Sequence, residues 1–149
     1  MSKRVLVPSL LGTAVIGAVA AGGLATASTT TGPSLRNGSA HYTAPSGGDA
    51  GSLTFTAEVS DDSGVRGLKV VAWPAGSELD PTEAEMRHTE DATCRGTGGG
   101  TSRCTYTLRV TEKEEAGLDR GTWYVSALAT AGDGDTAFVS RAAAFEVTH

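Results

Sequence analysis

From residue 52 onward the chain alternates apolar and polar side chains with a period of two, and clusters rich in Gly, Asp and Pro break the alternation at roughly ten-residue intervals. Successive side chains of a strand point to opposite faces, so each such run has one face to bury and one to wet. Several runs in series therefore require a second apolar sheet to cover the first. In Ser52 to Ser60, Leu53, Phe55, Ala57 and Val59 share one face, and Thr54, Thr56 and Glu58 share the other. Asp61-Asp62-Ser63-Gly64 supplies a turn, with aspartates able to accept from following amides and a glycine for positive φ. The chain returns through Val65 to Trp73, where Leu68, Val70 and Ala72 oppose Lys69, Val71 and Trp73.

Further on, Arg103 to Val110 sets Cys104, Tyr106, Leu108 and Val110 against Thr105, Thr107 and Arg109. Thr122 to Thr130 presents Trp123, Val125, Ala127 and Ala129 to the core, and after the turn at Ala131 to Asp135 a last strand runs from Phe138 to Val147. Tyr42 and its neighbours supply a first, edge strand. The pattern predicts an all-β antiparallel sandwich of about seven strands. Two short helical turns interrupt it. One is Asp80-Pro81-Thr82-Glu83-Ala84-Glu85-Met86, read with an N-cap before Pro81 at the first helical position; the other is Thr111 to Ala116, closed by Gly117.

The amino-terminal end is of another kind. Lys3 and Arg4 precede an uncharged Ala/Val/Leu/Gly stretch from Val5 to Leu24, then Ala25-Thr26-Ala27. A basic start, an apolar middle and a small-x-small site define a cleavable signal peptide over residues 1–27, and Pro8, Gly12 and Thr13 make the middle a poor permanent span. Lys3 stands where a twin-arginine signal needs its first Arg, so general secretion is the expected route. Residues 28–34 read as a disordered Ser/Thr/Gly/Pro leader and 35–149 as one folded domain. No apolar segment closes the carboxyl-terminal end, Phe145 to His149, so the mature protein is expected to be soluble and extracellular, with no membrane partner.

Loss of Lys3 and Arg4 takes the formal net charge from −5 to −7 (−5 − 2), which repels phosphate backbones and argues against nucleic-acid binding. The chain holds two cysteines, Cys94 and Cys104. In an exported chain without CxxC spacing such a pair points to a structural disulfide, here closing a Gly-rich stretch.

Val59-Ser60-Asp61-Asp62-Ser63-Gly64-Val65 with Leu68 and Val70 resembles the B to C corner of bacterial Ig-like and fibronectin-like domains. Gly121-Thr122-Trp123-Tyr124-Val125-Ser126-Ala127-Leu128-Ala129, with Phe145 and Val147, resembles their closing F to G hairpin. The chain as a whole resembles small secreted Ig-like proteins of unknown function from high-GC Gram-positive bacteria. The resemblance implies an Ig-like sandwich and brings no activity with it. Antibody-type domains staple strand B to strand F, where this chain has Phe55 or Ala57 and Val125 or Ala127; the cysteines lie instead at a D to E hairpin.

The same topology places the turns at Asp61, Asp62 and at Asp133, Asp135 at one end, where the four carboxylates form a candidate Ca²⁺ set; local turn bonding is the plainer use of the same residues. No other cofactor is implied. Val71, Trp73 and Tyr124 fall opposite the core and form a candidate binding face for an extracellular protein or glycan, unless the excursion from Pro74 to Glu90, with Leu79 and Met86, folds over them. The histidines, His41, His88 and His149, sit in no nucleophile or metal pattern, and His88 with Glu83, Glu85 and Glu90 reads as a solvated face. The expectation is a non-enzymatic extracellular binding module. The rivals are a protease inhibitor presenting the stapled hairpin from Arg95 to Arg103 and, further off, a hydrolytic enzyme.

Overall fold

The computed structural model describes residues 32–148; the signal peptide read over 1–27 lies outside the described residues. Among these residues eight strands and two single-turn helices follow in the order β1 (Ser34–Thr43), β2 (Gly51–Ser60), β3 (Val65–Pro74), α1 (Glu83–Met86), β4 (Glu90–Asp91), β5 (Thr93–Gly98), β6 (Thr101–Val110), α2 (Glu112–Glu115), β7 (Gly121–Ala131) and β8 (Thr136–Val147). They form two four-stranded sheets, β1-β2-β6-β5 and β4-β3-β7-β8, with every pairing antiparallel. The expected strands are all present to within a few residues at their ends. The eighth is β4, two residues long and without a periodicity of its own. Pro33 is buried and Ser34 already pairs with Ser60, so order begins before the expected boundary at Leu35.

The core is the set of inward positions the alternation picks out. Leu53, Phe55, Ala57 and Val59 from β2 meet Leu68 and Val70 from β3 and Val125, Ala127 and Ala129 from β7. Phe55 is fully buried on a central strand, with Ala40 of β1 and Tyr106 of β6 as its register partners. One end of the sandwich is held by contacts that only glycine permits. The Asp61 amide donates to the Gly100 carbonyl at 3.0 Å and the Gly132 amide to the Gly64 carbonyl at 2.9 Å. A Cβ on Gly100, whose φ is +80°, would collide with the Asp61 carbonyl.

Both helices start on a capping box: Thr82 with Glu85, and Thr111 with Glu114. In each, the threonine hydroxyl accepts from the third amide of the turn while the glutamate accepts from the threonine amide. These bonds hold the Glu85 and Glu114 carboxyls below the usual carboxylate range. The first cap is Thr82, and the expected start at Asp80 is corrected. A Thr-x-x-Glu box gives two reciprocal bonds, which an aspartate ahead of Pro81 does not.

Cys94 and Cys104 face each other directly across β5 and β6, with Cα atoms 4.0 Å apart, and form a disulfide. The sulfurs hold the strand that follows the crossing from one sheet to the other at Ala92. A Cys94→Ser/Cys104→Ser variant is expected to lose about 2–3 kcal/mol, the loop-closure entropy of a bridge of this separation. Urea midpoints compared with and without reductant check this: the native protein should shift by that amount and the variant should not shift at all.

Candidate functional site

The side of the sandwich that carries the disulfide is closed along only half its length. On the first sheet β5 stops pairing at Thr93 opposite Thr105, so residues 106–110 of β6 have β2 on one flank and no strand on the other. On the second sheet β4 pairs with Lys69 and Val70 alone, which leaves Val71 to Trp73 without a neighbour on that flank. Both edge strands therefore end at the same level, and a cleft of about 300 Å³ opens between the sheets.

Its floor is core: Leu53, Val70, Val110 and Val147. Leu108 shows what is unusual about it. The residue lies on the inward face of β6 with Cys104 and Val110, yet is 43% exposed, because no edge strand covers it. The closed end carries a run of rings. Tyr42 and Trp123 each stack on Phe145, with centroids 6.0 Å away in both pairs.

Hydrogen bonds fix two of these rings. The Tyr42 hydroxyl donates to the Glu115 carboxylate at 3.3 Å, and the Trp123 indole donates to the Asp119 carbonyl at 2.8 Å. Trp123, expected in the core, is thus half-buried at its margin. The open rim is formed by His88, Thr89 and Glu90, the residues that lead into β4. Burial, reinforced by the Glu90 carboxylate, raises the Tyr106 phenol above its ordinary value; burial and then Glu115 do the same to Tyr42.

The candidate face at Val71, Trp73 and Tyr124 is not a bare patch. Trp73 is 3% exposed, and its indole donates to Ser126 Oγ at 2.8 Å, which donates onward to the Ser140 carbonyl. The excursion through α1 covers this face and buries Met86 completely. Tyr124 packs tilted against Trp73 and carries the Arg141 guanidinium 4.5 Å over its ring. Coverage wins because Met86 and Trp73 each have a large apolar surface to bury. Val71 alone reaches a site, as a wall of the cleft.

Asp61, Asp62, Asp133 and Asp135 do come together, lining one polar depression at the glycine-held end. Two of the four carboxylates are engaged in local turn bonds. Asp61 accepts from the amide and hydroxyl of Ser63, which lowers its pKa, and Asp133 accepts from the Asp135 amide. Among the described residues no group of three His, Cys, Asp or Glu side chains could hold a metal ion, and that includes His88 with its neighbouring glutamates. Glu83 and Glu85 bond Thr136 and Thr82.

In the stapled hairpin the arginines Arg95 and Arg103 are register partners, and Arg103 pairs with Glu58 at 3.4 Å. The tip is Gly98-Gly99-Gly100, tied back to Asp61. No helix of the described residues is long and apolar enough to cross a membrane.

Fold and site together define an all-β, disulfide-stapled two-sheet sandwich with an apolar cleft in its open side. The chain belongs to a family of unknown function, DUF5707, which it matches over residues 35–129. The match stops within β7, so Phe145 and Val147 enter the cleft from a strand beyond it. No curated protein and no solved structure matches the chain.

The sequence names most of the cleft's residues as core and, of those it names as a candidate binding face, only Val71 lines the cleft. The available signal was the shortness of β4 and β5. Neither has enough alternating residues to cover Leu108 and its neighbours.

Proposed function

We propose that this protein is a secreted, non-enzymatic Ig-like module that binds an extracellular ligand by an apolar group seated in the cleft between its sheets. The observation that carries the reading is Leu108, a large apolar side chain on a core-facing position that is left 43% exposed at the mouth of a cleft of about 300 Å³. Natural pockets start at about this size and are lined mainly by apolar and aromatic groups with a few polar ones. The Ig-like reading is supported by strand order. With β1 to β8 taken as A, B, C, C′, D, E, F and G, the sheets run A-B-E-D and C′-C-F-G, the constant-type order with one short extra strand.

Secretion is supported by the basic, apolar and small-residue order of the first 27 residues and by the disulfide, which suits an oxidising compartment. The kinship with small secreted Ig-like proteins of high-GC Gram-positive bacteria belongs to the same reading. Filling the cleft tests the binding reading. Toluene, followed by methyl NMR, is expected to shift Leu53, Val70 and Val110, and Leu108→Trp should weaken that binding about tenfold or more while the melting temperature moves by only a few degrees. Toluene that leaves all methyls unmoved in the native protein overturns the reading.

A further inference from the structure

We propose that the ligand of the cleft is an organic cation, an ammonium group carried on an apolar body; this deepens the binding reading above and rests on it. The lining is aromatic and selectively charged. Four rings border the space, those of Tyr42, Tyr106, Trp123 and Phe145, together with the Glu90 carboxylate, and neither Lys nor Arg is among the lining residues. Ring faces carry the negative part of the aromatic quadrupole and attract a cation held near them, the more strongly the drier the site.

Charge balance elsewhere on the chain sharpens the point. Asp91 is neutralised by Lys69 at 3.0 Å and Glu58 by Arg103 at 3.4 Å. Glu90, next to Asp91, lines both the cleft rim and the neighbouring polar depression that holds Arg95 and Arg103, and has no ion pair among the described residues. The position of Glu90 beside Tyr106 is felt by the phenol, whose ionisation it opposes after burial does. Tyr42, at the other end of the ring stack, keeps its hydroxyl on the Glu115 carboxylate. Each tyrosine of the cleft thus has a carboxylate beside it. An anion entering here would meet Glu90 with no lysine or arginine in the lining to receive it. A purely neutral body would use the floor and leave the rim carboxylate idle.

The space limits the ligand to a small body, on the scale of one substituted ring or a short branched chain with its ammonium head. The head belongs at the rim between Tyr106 and Glu90 and the apolar part against Leu108 and the Phe145 stack. His88 also reaches the rim.

The test compares benzyltrimethylammonium with neopentylbenzene, its uncharged carbon isostere, by methyl NMR titration of the whole protein. The cation is expected to bind about tenfold tighter than the isostere. Glu90→Gln should erase most of that preference and leave the isostere within about twofold of its native affinity, and Tyr106→Phe should keep the preference where Tyr106→Leu reduces it. Circular dichroism of each variant verifies that the fold is intact.

Equal binding of the two probes overturns the cation proposal and leaves the cleft reading standing. Binding of neither overturns both. A dimer in sedimentation that dissociates as probe is added would mean that the cleft is covered by a second copy of the chain, and would overturn the proposal as well.

Discussion

Phe55→Ala is expected to remove about 3–5 kcal/mol of folding stability, the cost of losing a fully buried ring together with the void it leaves. Among the described residues Phe55 is the largest wholly buried side chain, and β2 is flanked by β1 on one side and β6 on the other, so little can move in to fill the gap. At typical domain stabilities such a loss leaves a protein near the edge of folding at room temperature. Phe55→Leu should recover a large part of it by refilling volume. Urea unfolding measures both. A loss below about 1 kcal/mol for the alanine variant would mean that the ring does not sit between the two sheets.

Met86→Ala is expected to cost about 2–5 kcal/mol, which is large for a residue outside both sheets. A four-residue helix has no stability of its own, and the capping box can only orient it; docking of Met86, its sole buried residue, holds the excursion in place. The loss should propagate to Trp73, whose indole depends on the same cover while it donates to Ser126. In a Trp123→Phe background, so that Trp73 alone reports, the emission of the Met86→Ala variant is expected to shift to the red. Unchanged emission and stability would show that the excursion is not what buries the indole.

The strands were legible because their information is local. Alternation names both faces of β2, β3, β6 and β7, and the turns at Asp61 to Gly64 and Ala131 to Asp135 carry the residues that such turns need. The disulfide was legible from the expectation of export and from the cysteine count. The fate of Trp73 was less so, since alternation places it outside the core and only the docking of Met86 from another segment decides that it is covered.

The cleft was least legible, because an opening is made by what two strands fail to reach. Leu108 has the same alternating context as Cys104, which is wholly buried, but where Cys104 is flanked by β2 and by β5, to which it is also disulfide-bonded, Leu108 has β2 alone. The helix start was misplaced for a physical reason as well: Pro81 at a first helical position is a common signal, but Thr82 and Glu85 can cap each other and Asp80 cannot join them.

The most direct measurement of the account is a methyl-resolved NMR titration of the native protein with benzyltrimethylammonium. The predicted result is that the shifts gather on Leu53, Val70, Leu108 and Val110, around the open half of the sandwich, while Leu35 and Val59 at the opposite end stay still. Shifts centred on Leu35 and Val59, or none at any concentration, would contradict it.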